Sequence, residues 1–106
     1  MGLDITFKQK ERILCPKCGE LAGYREANDA DTGGRAWYPF LESIGYYVPN
    51  SEENEWYGKD MILTEEQASQ AFKFAIENEV YNWREVTGLI SYGLARRFDI
   101  AINADW

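Results

Sequence analysis

Both cysteines of the chain lie in one short run, Cys15-Pro16-Lys17-Cys18-Gly19, and the chain contains no histidine. Two cysteines separated by two residues have the spacing with which a single turn presents two thiolates to a zinc ion. A structural zinc site takes four ligands, so this run supplies half of one. Cys15 and Cys18 are therefore candidate metal ligands, and zinc is the one cofactor that the residue types suggest.

Three interpretations of the cysteine pair are open. A second chain, or Asp and Glu side chains, would complete a zinc site. Alternatively, the pair is the remnant of a four-ligand site whose other half has been lost. A disulfide between the two thiols is the third interpretation, although the reducing cytosol disfavours it.

Catalysis is not expected from the residues available. The absence of histidine excludes nucleophilic catalysis by a Cys-His pair and most catalytic zinc sites. A redox thiol is activated at a helix N-terminus, and Gly19 and Gly23 disfavour a helix at the cysteine run. No pattern places two carboxylates across a cleft. We therefore predict that the protein is not an enzyme, and we keep a small zinc-binding or thiol redox protein as an alternative.

The chain has 106 residues and a net charge of −7, which predicts one acidic domain over residues 1–106. Residues 26–79 carry twelve carboxylates and three basic side chains. This segment argues against direct binding of nucleic acid, which requires clustered Lys and Arg, and permits a basic partner. Neither a signal-peptide pattern nor a membrane-spanning apolar run is present, so we expect a cytoplasmic protein without membrane contact.

The middle of the chain combines aromatic and acidic residues. Tyr and Trp bring large contact area with few rotatable bonds, and aromatics beside acids are typical of protein interfaces. This composition predicts a non-enzymatic protein-interaction module, with a homodimer as one form of partnership. An acidic inhibitor of a nucleic-acid-binding or host-defence protein is an alternative, and core packing is the structural alternative for the aromatics. The candidate partner-binding residues are Trp37, Tyr38, Tyr46, Tyr47, Glu52, Glu53, Glu55, Trp56 and Tyr57.

The N-terminal third is expected to be extended. Residues 2–8 alternate apolar and polar side chains, which predicts a half-buried strand. Residues 11–14 and 21–26 are predicted to enter and leave the cysteine run as a hairpin-like knuckle whose backbone N–H groups point at the sulfurs. Residues 28–34 are polar and rich in turn formers, which predicts a flexible loop, and their spacing does not fit a calcium-binding EF-hand.

Two helices are predicted from capping and periodicity. The run Thr64-Glu65-Glu66-Gln67 is a capping box, and the apolar spacing after it predicts a helix over residues 64–79. Apolar residues spaced by three, one and three positions predict a short helix near residues 36–44, ended by Gly45.

A third helix is predicted over residues 83–98. Asn82 is expected to cap it, with Glu85 in the first turn. Gly88 and Gly93 each cost a helix about 1 kcal/mol relative to Ala, so we expect both to mark close approach to another element.

The last residues, 99–106, alternate again and predict a closing strand. The two terminal strands are expected to pair in one small antiparallel sheet, with the two main helices and the short helix packed against its apolar face. The predicted fold class is therefore α+β.

Two short stretches resemble known protein groups. Residues 13–20, Ile-Leu-Cys-Pro-Lys-Cys-Gly-Glu, resemble the knuckle of zinc-ribbon and rubredoxin-type proteins, although the second cysteine pair of those proteins is absent here. The start Met1-Gly2-Leu3-Asp4-Ile5 resembles that of small bacteriophage and prophage proteins. The first resemblance implies a degenerate metal-binding knuckle, and the second implies a phage accessory protein that binds a host protein.

Overall fold

The computed structural model of the chain describes residues 3–51 and 53–106. It confirms the predicted α+β class, with a four-stranded antiparallel sheet in the order β2-β1-β4-β3. A 3₁₀ turn, Arg35–Trp37, precedes α1. The elements are β1 (Asp4–Leu14), β2 (Leu21–Gly33), α1 (Tyr38–Ser43), β3 (Met61–Leu63), α2 (Glu65–Glu77), α3 (Trp83–Ala95) and β4 (Asp99–Asp105).

The interior strand β1 is longer than predicted. The extended segments predicted over residues 2–8 and 11–14 belong to one continuous strand, which runs from Asp4 to Leu14. Residue 2, where the strand was predicted to begin, lies outside the described residues. The alternation predicted for this strand is confirmed, because Leu3, Ile5 and Phe7 are buried on the face that the helices cover. The predicted pairing of the terminal strands is also confirmed, with β1 and β4 in register from Asp4 opposite Asp105 to Lys10 opposite Asp99.

The predicted loop over residues 28–34 is wrong, because β2 continues through Gly33. Asp31 lies opposite Thr6 of β1, and the Thr6 hydroxyl donates to its carboxylate over 2.8 Å. Polar residues are tolerated in β2 because this edge strand exposes many of its side chains to water. Backbone pairing with β1 outweighs the local preference of these residues for turns. Gly33 is required by sterics, since a Cβ there would lie 2.3 Å from the Leu3 carbonyl oxygen.

The short helix predicted in the middle segment is present, and the strand β3 was missed. Pro39 lies in the first turn of α1, and Gly45 follows the helix with a φ of 78°, as its predicted terminating role requires. The three residues of β3 pair with Ile100–Ile102 of β4. A run of three residues shows too little periodicity to be recognised as a strand.

The capping box of α2 is confirmed. The Gln67 backbone N–H donates to the Thr64 hydroxyl over 3.0 Å, and the Thr64 backbone N–H donates to the Gln67 side chain over 3.0 Å. This helix buries alanines on its predicted stripe, and their small size lets it lie close to the rest of the domain. The buried residues are Ala68, Ala71 and Ala75.

The start of α3 differs from the prediction. Asn82 has a left-handed backbone, with a φ of 60°, and its side chain makes no capping bond to the helix backbone. Its amide instead donates to the Asp31 carbonyl oxygen over 2.9 Å and to the Glu85 carboxylate over 3.0 Å. Asn82 therefore ties the beginning of α3 to β2.

Only one of the two helical glycines marks close approach. A Cβ on Gly93 would lie 2.6 Å from Ile100 Cδ1 and 3.3 Å from Gln9 Cγ, so this glycine lets α3 approach the sheet. A Cβ on Gly88 would have no atom within 4 Å, and the residue is exposed. The prediction is thus wrong for Gly88, which faces solvent.

Candidate functional site

The hairpin formed by β1 and β2 extends beyond the rest of the sheet. The pairing of β4 with β1 ends at Lys10, whereas β1 and β2 remain paired to Leu14 and Leu21. We call residues 11–25 the arm. It contributes to the elongated shape of the molecule, whose principal extents are 46 × 32 × 22 Å.

An ion pair braces the base of the arm against the start of β4. Arg12 donates from Nε and Nη2 to the two carboxylate oxygens of Asp99 over 2.9 and 2.6 Å. Hydrogen bonding from Arg12, followed by that from Tyr24, lowers the pKa of Asp99 despite its partial burial. Because Arg12 belongs to β1 of the arm, this ion pair ties the base of the arm to the start of β4.

The cysteine run forms a closed turn at the end of the arm. The Gly19 backbone N–H donates to the Cys15 carbonyl over 2.8 Å, and the Cys15 N–H donates to the Glu20 carbonyl over 2.7 Å. Gly19 has a φ of 73°, a left-handed conformation that glycine adopts without strain. These contacts fix the chain from residue 15 to residue 20.

The turn favours the thiolate form of Cys15. Hydrogen bonding from the Cys18 backbone amide, the Cys18 thiol and the Lys17 backbone amide lowers the pKa of the Cys15 thiol. Cys15 is partly exposed and Cys18 is exposed, and neither forms a disulfide. The pair can therefore present two adjacent sulfurs to a soft metal ion such as zinc.

A single copy of the chain offers only these two soft ligands. In the parts of the chain that the structure describes, no group of three or more Cys, His, Asp or Glu side chains could hold a metal ion. A four-coordinate zinc ion at Cys15 and Cys18 would need its remaining ligands from outside the copy.

Apolar side chains surround the turn, a feature that the sequence prediction missed. Leu14 and Leu21 lie directly opposite each other across the arm and are 55% and 49% exposed. Ile13 is 47% exposed. The sequence could have indicated this exposure, because the residues that flank the cysteines are apolar. A two-stranded ribbon has no core in which to bury such side chains.

Two of the predicted partner-binding residues belong to the core, so they are not available to a partner. Trp37 is fully buried and packs on Phe7 and Phe74 with ring centroids 5.4 and 4.9 Å away. Tyr46 is 1% exposed, and its hydroxyl binds backbone groups of Lys59 and Ala104. Composition alone could not separate these side chains from surface aromatics.

The other candidate aromatics lie at or near the surface. Tyr38, Tyr47 and Trp56 are partly buried against the core. Tyr57 is 47% exposed and stacks edge-on against Trp106 with the ring centroids 4.7 Å apart.

Two of the three acidic candidates, Glu53 and Glu55, lie in the loop before β3. Glu53 and Glu55 are exposed and border an open cleft, which Tyr57 and Trp106 also line. Glu52 lies outside the described residues. A partner-binding role for these acids stays a prediction.

Part of the acidic segment is paired within the chain. Lys8 and Lys10 each contact both Glu26 and Asp60, with N–O distances between 2.8 and 3.1 Å. Burial opposes ionisation of Asp60, but hydrogen bonds from Lys10, Asn103 and Lys8 outweigh it and lower the pKa of its carboxyl to about 2. These two carboxylates stabilise the sheet surface, so they are less suited to attract a basic partner.

Comparisons of the chain with protein-family models, curated proteins and solved structures find no match. The resemblances of residues 13–20 and of Met1–Ile5 thus remain predictions from short stretches. Among the described residues, no helix combines the length and the apolar character needed to cross a membrane.

Proposed function

We propose that this chain is a non-enzymatic protein-interaction module whose contact element is the tip of the arm. The observation that carries the proposal is the exposed Leu14–Leu21 pair beside a fixed turn, at the end of a hairpin that projects from the sheet. Clustered apolar side chains on a surface are characteristic of interaction sites, because their burial against a partner removes them from water.

The arm is suited to binding because its shape is set before a partner arrives. The Arg12–Asp99 ion pair fixes its base, and the hydrogen bonds of the turn fix its end. A contact element that is already ordered loses less conformational entropy on association, which favours affinity. Beyond Lys10, β1 is no longer paired with β4, so its backbone edge can also pair with an extended segment of a partner.

Site-specific photo-crosslinking tests this function. A photoreactive amino acid at Leu21 should give one defined adduct in the cells that make the protein, and a Leu14→Ser substitution should weaken that adduct. Ile76 on α2 is the matched control, because it is also an aliphatic residue and is 42% exposed. Absence of an adduct at Leu21, or the same adducts at Leu21 and Ile76, would contradict the proposal.

A further inference from the structure

We propose that the arm tips of two copies of this chain share one zinc ion, held by Cys15 and Cys18 of each copy. This inference rests on the proposed function and names the ligand and the partner of the same site. It makes zinc the link in a symmetric homodimer.

The ligand count favours a second copy. The chain has two cysteines and no histidine, whereas a structural zinc site takes four ligands in a tetrahedron. A two-fold axis through the metal brings the same pair from each copy, which gives four thiolates without any other ligand. Four thiols lose their protons to solvent as the metal binds.

The position of the turn makes the shared site sterically accessible. Cys18 is exposed, and all residues from Pro16 to Ala22 are exposed as well. The turn lies at the far end of the arm, where β4 no longer accompanies the hairpin. Two tips can therefore approach each other while the two domains stay apart.

Charge also favours this arrangement. Zinc with four thiolates carries a net charge of about −2. Lys17 lies between the two cysteines in sequence, so the two copies bring two positive charges that offset the charge of the cluster. The two copies each carry a net charge of −7 and repel each other. Contact through the arm tips keeps the acidic domains further apart than the screening length of roughly 8 Å at physiological salt, which weakens this repulsion.

The apolar side chains next to the turn also favour the shared site. Leu14 and Leu21 lie beside the ligands on each copy and would shield the metal–thiolate cluster from water. Two hairpin tips cover far less than the roughly 1,200 Å² of a stable protein interface, so the apolar contact alone would be weak. We therefore expect dimerisation to depend on zinc.

Native mass spectrometry of the full chain under a reducing agent, with and without added Zn²⁺, tests the inference. The expected result is a dimer that contains one zinc ion, and a monomer after removal of the metal with EDTA. X-ray absorption should show four sulfur atoms about 2.3 Å from the zinc. The Cys15→Ser/Cys18→Ser variant should remain monomeric at every zinc concentration.

A second variant tests whether the conformation of the turn contributes to zinc binding beyond the general affinity of two thiols for zinc. Gly19→Val keeps both cysteines but places a β-branched residue at a φ of 73°, which should weaken zinc-dependent dimerisation at least about tenfold. Circular dichroism and thermal unfolding without metal show whether either variant folds. Zinc affinity that is unchanged by Gly19→Val in a folded protein would contradict the role of the turn.

The remaining outcomes distinguish this inference from the proposed function. A monomer that binds no zinc, a monomeric zinc complex with two sulfurs and two lighter ligands, or a dimer that persists in EDTA would each overturn the shared site. If the Leu21 crosslink then joins a different protein, the proposed function stands without the zinc link. If the shared site is overturned and Leu21 also gives no crosslink in the presence of zinc, both fail.

Discussion

The phenol oxygen of Tyr46 accepts a hydrogen bond from the backbone N–H of Ala104 over 2.8 Å, in the place where a neighbouring strand would supply a carbonyl. It also donates to the Lys59 carbonyl over 2.7 Å. The Gly58 backbone N–H meanwhile donates to the Ala104 carbonyl over 2.9 Å. A side chain and a loop therefore complete the edge of β4 where the short strand β3 does not reach.

Tyr46→Phe should destabilise the protein by about 1–3 kcal/mol, because it leaves the buried N–H of Ala104 without a partner. Tyr57→Phe is the matched control, since it removes an exposed hydroxyl that donates to the Trp106 carbonyl over 3.1 Å, and should cost less than about 1 kcal/mol. Urea unfolding gives both free energies. If both variants lose the same free energy of unfolding, the hydrogen bond between Tyr46 and the Ala104 N–H does not stabilise the protein more than an exposed tyrosine hydrogen bond does.

The two glycines of α3 should respond to alanine in opposite ways. Gly88→Ala should raise the free energy of unfolding by about 0.5–1 kcal/mol, because alanine favours the helix and nothing blocks its methyl group. Gly93→Ala should lower it by up to about 2 kcal/mol, since the methyl group would overlap Ile100 and Gln9. Thermal or urea unfolding of the pair measures the difference, and a stabilised Gly93→Ala would be incompatible with the close approach of α3.

Acid should weaken the fold through Asp60. Its pKa is lowered from 3.8 to about 2 in the folded protein, so the unfolded chain binds more protons below about pH 5. The contribution of Asp60 to the free energy of unfolding should therefore be fully present above pH 5 and be lost as the pH drops towards 2. This loss is at most about 2 kcal/mol, and solvent screening makes it smaller. Urea unfolding as a function of pH should show that Asp60→Asn loses less free energy of unfolding at low pH than the wild type does. Asp29→Asn, an exposed change on β2, should lose as much as the wild type does.

Arg12→Ala should release the arm without unfolding the domain. Hydrogen exchange of residues 11–25 should become faster, because the substitution removes both hydrogen bonds to Asp99. Exchange in α2 and α3 should be unchanged. Arg84→Ala, which removes an exposed arginine that stacks on Trp83, is the control and should leave the arm as it is. An arm that exchanges at the wild-type rate in Arg12→Ala would mean that this ion pair does not brace it.

Local chemistry explains why much of the fold could be predicted. The capping box at Thr64 and the alternation around Ile5 are set by neighbouring residues, so the sequence shows them directly. Residues 28–34 and Asn82 were misjudged because both bind distant parts of the chain. Asp31 takes part in both cases, through strand pairing with Thr6 and through its carbonyl bond with Asn82.

The candidate site was less predictable. The cysteine spacing predicted the turn. It does not indicate that the pairing of β1 with β2 extends beyond the pairing of β1 with β4. The length of the arm depends on where β4 begins, at Asp99, about eighty residues away. The aromatics show the same limit, because burial of Trp37 and Tyr46 follows from tertiary packing and not from their sequence neighbours.

The strand order β2-β1-β4-β3 also has a consequence for synthesis. Residues 99–105 form an interior strand between β1 and β3, so the sheet is incomplete until they have emerged from the ribosome. Until then the hairpin of β1 and β2 presents Ile5 and Phe7 without their partners on β4. The apolar face of the hairpin is therefore completed late in synthesis, because its pairing with β4 is non-local.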